Sequence, residues 1–358
     1  MTETTNFLPD WAVPPGSTIE GLLAEKSLSD IELAHDLGQP IDKVHQLLNG
    51  TAEITEEIAL QLSKTFGLSE AFWQLRETQY RESLKRLETN IQWVNSFPIE
   101  DMVNSGWLHH SNSIKEKIAA CLDFFNVPSV SDWYEHYENS HKLVAFRTSE
   151  KFQADEAATL AWLRQGEIKA GHIDCNPWNK EQFSDSLFTI RQLTREKSPS
   201  KFLPKLQEIC AKSGVALVIE KAPKGCRASG ATKFLSKNKA LMMLSVRYLS
   251  DDHFWFTFFH EAGHLILHNS HLLFLEGIDG NTDENEKEAN AFSSNLLVPS
   301  EYQKEMKALP IAYKPIMRFA KKIDIAPGIV VGQLQFHKKC PPNMLNRLKV
   351  RYTWNSKG

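Results

Sequence analysis

The stretch FWFTFFHEAGHLILH, residues 254–268, constrains the fold more than any other part of the chain. It reads as one apolar helix with His260, Glu261 and His264 in its middle. Burying two imidazoles and a carboxylate costs free energy unless something pairs with them. Residues four apart on an α-helix share a face and stand about 6 Å apart along the axis. Two histidines so placed can reach one metal ion, and the glutamate beside the first is placed to act on water as a general base. The pattern therefore predicts one Zn2+ ion with three protein ligands and a position left open.

The third ligand has to come from elsewhere. The longer pattern HExxHxxGxxH fails, because Leu267 and Ser270 stand where it needs Gly and His. His268 repeats the four-residue spacing, but it lies about 12 Å along the axis from His260, too far to share an ion. The better candidate is a carboxylate on the next predicted helix, Glu286 to Leu297, which ends at Pro299. There Glu286 is the expected ligand, Glu288 its fallback, and Asn290 is expected to orient a ligand histidine. His268 and His271 read as ordinary polar residues near a helix end. The acidic run DGNTDENEKE at 279–288 reads as a solvated loop. It does not satisfy an EF-hand, because Glu284 holds the required glycine position.

A length of 358 residues allows two or three domains. No run of 18 apolar residues is present, so neither a membrane span nor a membrane partner is expected. The N-terminus has no basic start and no apolar signal core. Five cysteines without a CxxC pair fit a reducing, cytoplasmic setting better than a disulfide framework. Charge is unevenly spread. Residues 17–80 hold four Lys/Arg against eleven Asp/Glu, a balance of −7, and residues 301–358 hold twelve against three, a balance of +9. Such asymmetry bears on partners rather than fold. In the basic tail, Lys338, Lys339, Arg347, Lys349 and Arg351 suit nucleic acid or the acidic N-terminal region, with a plain solvated surface as the simplest reading.

Three segments follow from pattern: 17–82, 83–210 and 211–358. The first reads as five short helices. Ser17 to Glu20 and Ser29 to Glu32 look like capping boxes. Ile31 to Leu37 stops at Gly38, Pro40 opens a third helix through Leu48, and Thr55 and Ser69 cap a fourth and a fifth. Two short helices joined at a glycine match the helix-turn-helix. The second segment reads as a helical connector packed through Trp93, Trp107, Trp133 and Trp162. In the third, Val215 to Ile219 is a strand, and Ser229 to Leu235 with Ala240 to Val246 suggest a hairpin. The catalytic helix is expected to start near Asp251 or Asp252. The Ser229–Leu235 strand is placed to take a substrate chain by strand addition. Cys226, just before it, reads as a partly buried inert thiol, with a redox or metal-occupancy switch close to the metal as the alternative.

HEAGH followed by ExEANAFSSNLLVP resembles the ImmA/IrrE family of zinc metallopeptidases. IELAHDLGQPIDKVHQLLNG and ITEEIALQLSKTFGLSEAFW resemble HigA-like antitoxins of the Xre helix-turn-helix class, and IDIAPGIVVGQLQ with LNRLKVRYTW resembles the end of such fused regulators. The resemblance implies an α+β, mostly helical chain: a helix-turn-helix domain of five helices, a helical connector, and a zincin-like metallopeptidase domain with a small β-sheet. It implies a bacterial or phage regulator that cleaves a repressor-type protein. His260 and His264 match the motif histidines, Glu261 the general base, and Glu286 the downstream acidic ligand. DNA, a toxin and a second copy of the chain are further implied partners. The third helix would face DNA through Gln39, Asp42, Lys43, His45, Gln46 and Asn49. Only Lys43 among them is firmly cationic, and a domain at −7 repels the phosphate backbone. The competing reading is a non-proteolytic DNA-binding antitoxin or repressor.

Overall fold

The computed structural model describes residues 11–138, 150–245, 250–268, 274–276 and 284–352. His271, Val246 and the 279–283 part of the acidic run lie outside them. The fold is α+β and mostly helical, and the chain divides into two compact units. One holds the residues up to Asn95 with His109–Glu135; the other holds Ser96–Leu108 and the chain from His136 onward.

The first unit is built on α1 (Pro15–Lys26), α2 (Asp30–Leu37), α3 (Ile41–Leu48), α4 (Glu56–Phe66) and α5 (Glu70–Ser96). Ser29 caps α2 reciprocally: its Oγ accepts the Glu32 N–H at 3.2 Å, and Glu32 Oε2 accepts the Ser29 N–H at 2.8 Å. Gly38, at φ +62°, ends α2 in the left-handed conformation that glycine adopts without strain, and Pro40 opens α3. α2 and α3 are the helix-turn-helix pair. They bury Leu33, Leu37, Val44 and Leu47 against Leu62 and Trp73. The capping box expected at Ser17 is not a helix start. α1 begins earlier, at Pro15, whose fixed φ and missing N–H suit the first helical position.

α5 runs for 27 residues, so the boundary expected after residue 82 falls inside a helix. α6 (Ile99–Asn104), α7 (Ile114–Phe125) and α8 (Val130–Glu138) follow. The four tryptophans expected to pack one connector are divided between the units. Trp93 and Trp133 meet edge to face at 5.7 Å in the first. Trp107 and Trp162 lie in the second, where they donate to the Glu220 carboxylate at 3.2 Å and its carbonyl at 2.9 Å.

The second unit continues with α9 (Glu150–Gly171), α10 (Lys180–Leu193), α11 (Pro199–Lys212), β1 (Val215–Ile219), β2 (Gly230–Ser236), β3 (Lys239–Leu244), α12 (Asp251–Leu267), β4 (Phe274–Glu276), α13 (Glu284–Leu297), α14 (Ser300–Lys307), α15 (Tyr313–Lys322) and α16 (Pro327–Phe336). The sheet order is β1-β3-β2-β4. β2 and β3 form the expected hairpin, closed by Lys237–Asn238, and β1 runs parallel to β3. Alternate residues of β1 and β3 face opposite ways. Val215, Leu217, Met242 and Leu244 pack with the α12 aromatics, whereas Ala216, Val218, Leu241 and Met243 pack with Trp162 of α9. The sheet is therefore covered on both faces, and α12 is buried along nearly its whole length.

Candidate metal centre

The N-terminus of α12 is held by chain from the far end of the sequence. The Asp251 N–H donates to Val350 O at 2.9 Å, and Asp251 Oδ1 accepts the Val350 N–H at 3.0 Å. Lys349 Nζ reaches Asp252 Oδ2 at 2.6 Å and Gln335 Oε1 at 2.7 Å. Gly328 and Gly332, one turn apart on α16, leave room for the two aspartates. A Cβ at 328 would stand 2.8 Å from Asp251 Cγ, and one at 332 would stand 2.7 Å from Asp252 Oδ2. Lys349 is thus not part of a solvated basic surface, as the sequence suggested. It is a half-buried counter-ion for the buried Asp252 of α12.

α13 lies antiparallel against α12. Glu288 meets His268, Glu286 meets His264 and His260, Asn290 meets His260, and the Ser293 hydroxyl donates to Phe256 O. Gly263 lets the helices close: a Cβ there would stand 3.2 Å from Ala289 Cα.

This packing brings three donors to one point. His260 Nε2 and His264 Nε2 stand 2.9 Å apart, and the Glu286 carboxylate offers one oxygen to each at 3.2 Å. Both imidazoles are almost fully buried. Burial alone would push the Glu286 carboxyl up, but its hydrogen bonds with His260 and His264 outweigh this and hold it at about 2. Burial, only partly opposed by Glu286, pulls His264 below its ordinary 6.5. Both groups are therefore held in the form that ligates metal. Donors around a tetrahedral zinc at 2.0–2.1 Å stand roughly 3.3 Å from one another, so the three residues fit one such ion with little movement. Among the described residues they are the His/Cys/Asp/Glu group able to hold a metal. His260 Nδ1 faces Asn290 Oδ1 at 3.2 Å, which leaves Nε2 to the ion.

Glu261 is fully buried and points toward the sheet rather than toward α13. The space for its carboxylate comes from Gly230 at the start of β2: a Cβ at 230 would stand 2.7 Å from Glu261 Cγ and 2.8 Å from Cδ.

Residues 211–316, which contain all four of these side chains, match the family model Peptidase_M78, described as the IrrE N-terminal-like domain. A solved structure of an addiction module antidote protein of a HigA family from Coxiella burnetii shares 32% identity with the chain. The match covers 20% of this chain and 80% of that one, with a TM-score of 0.20, so the likeness is one of sequence. Residues 211–316 are thus an IrrE-like peptidase domain. No curated protein matches the chain in sequence.

Within the IrrE-like domain, other expectations meet the geometry differently. Glu288, the fallback ligand, bonds to His268 instead of joining the three donors. His268 is not an ordinary surface residue. Its side chain is 5% exposed, and its Nδ1 lies 3.0 Å from His264 Nδ1. Cys226 does not approach the metal donors. It is buried with Trp162, Val218 and Met243 on the α9 side of the sheet, opposite α12. β2 is not open to an added strand at Gly230–Thr232, because those residues already pair with β3 on one side and β4 on the other. The roles of Gly230 and Gly263 were missed from sequence; a glycine inside a helix pattern was the one local signal at 263.

Around the helix-turn-helix pair, Asp42, His45, Gln46 and Asn49 are exposed, and Gln39 and Lys43 are half-buried. His45 Nε2 lies 2.8 Å from Asp30 Oδ2, a bond that holds the Asp30 carboxyl below the usual range. Asn49 Oδ1 accepts the Thr51 N–H at 3.0 Å, closing the turn after α3. Among the described residues no helix is long and apolar enough to cross a membrane.

Proposed function

We propose that the chain is a cytoplasmic zinc endopeptidase that cleaves a regulatory protein of repressor type. The observation that carries this reading is the convergence of His260, His264 and Glu286 beside the buried Glu261. Two imidazoles and one carboxylate are a donor set that suits catalytic zinc. A divalent ion held there supplies Lewis acidity to water and to the scissile carbonyl. Glu261, one residue after His260, is the general base: it accepts the proton from water and returns it to the leaving amine. Asn290 keeps the His260 ring oriented. The matched family supports a metallopeptidase domain; zinc, the HExxH mechanism and the repressor-type substrate are our reading.

The HigA-like domain is assigned to targeting, through protein contacts or DNA. A second reading, a non-proteolytic antitoxin or repressor that engages a toxin or operator, is favoured by the likeness to an antidote protein. The −7 balance of residues 17–80 weighs against tight duplex binding by that domain alone. The deciding experiment incubates zinc-loaded protein with the product of the adjacent gene. Fragments that vanish with chelator and with Glu261→Gln support the peptidase. Cleavage by Glu261→Gln at the wild-type rate contradicts the mechanism, and an intact partner in every arm favours the second reading.

A further inference from the structure

We infer that His268 and Glu288 form a relay behind His264 that fixes how that ligand meets the metal, an inference that rests on the metal-site reading above. The contacts form a line. His264 Nε2 faces Glu286 and His260, while its Nδ1 lies 3.0 Å from His268 Nδ1. His268 Nε2 lies 3.1 Å from Glu288 Oε2. With a metal ion on His264 Nε2, one arrangement of neutral rings satisfies every link. Glu288 is an acceptor, so His268 donates through Nε2–H and keeps a lone pair on Nδ1. His264 then donates Nδ1–H to that lone pair and keeps its own lone pair on Nε2, aimed at the ion. A ligand imidazole backed in this way is held in orientation, and its basicity rises.

The two ligand histidines are therefore supported differently. His260 rests on the neutral amide of Asn290, whereas His264 rests on a second imidazole that ends on a carboxylate. The His268 side chain is only 5% exposed, and Glu288 is 52% exposed, so the relay runs from the buried donors to the surface of α13. His268 sits one turn after His264, just past the end of α12, and its extended backbone, at φ −110° and ψ 170°, departs from the helix there. His268 and Glu288 are positioning residues and touch no substrate.

The test is a zinc titration of the full chain against a chromophoric chelator. His268→Phe fills the space and removes the acceptor; it should weaken zinc binding about 10- to 100-fold. His268→Asn places a carbonyl oxygen where Nδ1 stands and should return binding to within about threefold of wild type. Glu288→Ala should fall between. Cobalt loaded in place of zinc should show a shifted visible spectrum in His268→Phe and a near-native one in His268→Asn. The metal-free variants should melt with the wild type, which separates ligand positioning from folding. Equal zinc affinity in wild type and His268→Phe overturns the relay, as does equal weakening in the Phe and Asn variants. Wild-type protein that takes up no ion overturns the metal-site reading itself, and the relay with it.

Discussion

Gly230 and Glu261 share one volume: a Cβ on residue 230 would stand 2.7 Å from Glu261 Cγ. The strand and the helix approach so closely that the Glu261 carboxylate, the proposed general base, occupies the place of a missing side chain. Gly230→Ala should therefore displace the carboxylate. A displacement of about 1 Å costs cleavage on the order of 100-fold. Metal content should not change, because His260 and His264 face α13, which carries Glu286, rather than β2. Wild-type turnover in Gly230→Ala would show that Glu261 needs no such placement.

Asp251 gives the fold a pH dependence. Burial, reinforced by the negative charge of Asp252, pushes its carboxyl up to about 7, against a smaller opposing pull from its hydrogen bonds and from Lys349. In the unfolded chain it titrates near 3.8. Between these values the folded chain holds a proton that the unfolded chain has lost. The stability tied to this group is thus complete below 3.8 and drains away as pH rises to about 7. The loss is roughly 4 kcal/mol at most. Asp251→Asn keeps the Oδ1 acceptor for Val350 and cannot ionise. Urea unfolding of metal-free protein should show the variant gaining on wild type from pH 4 to 7, then holding level. Parallel curves would mean that Asp251 titrates normally.

Lys349 supplies the cation for the buried Asp252, with side-chain exposures of 13% and 7%. Removing one partner of such a pair strands the other. Lys349→Met should destabilise the chain by about 3–5 kcal/mol. Adding Asp252→Asn should recover most of that loss, since the stranded charge is then gone. Thermal melts of the two variants check this, and additive losses in the double variant would contradict the pairing.

What was legible in the sequence is local. Four-residue spacing placed His260 and His264 on one face, and the carboxylate helix about 20 residues on supplied Glu286 and Asn290. Turn chemistry at Lys237–Asn238 and Gly38 gave the hairpin and the helix-turn-helix. What stayed hidden depends on partners distant in the chain. Gly230 matters only because β2 passes over α12, and Lys349 only because the tail returns to Asp252. His268 repeats the motif spacing in plain view. Its role became visible only with the antiparallel register of α12 and α13, which sets Glu288 opposite it. The division of Trp93 and Trp133 from Trp107 and Trp162 likewise follows from packing, since composition treats all four alike.

The measurement closest to the central claim is elemental analysis of the purified chain beside its Glu286→Ala variant. The three-donor site predicts about one zinc per wild-type chain, resistant to dialysis, and a large loss of metal in the variant with the fold retained. Wild-type protein without a stoichiometric divalent ion, or a variant that retains it in full, would contradict the account.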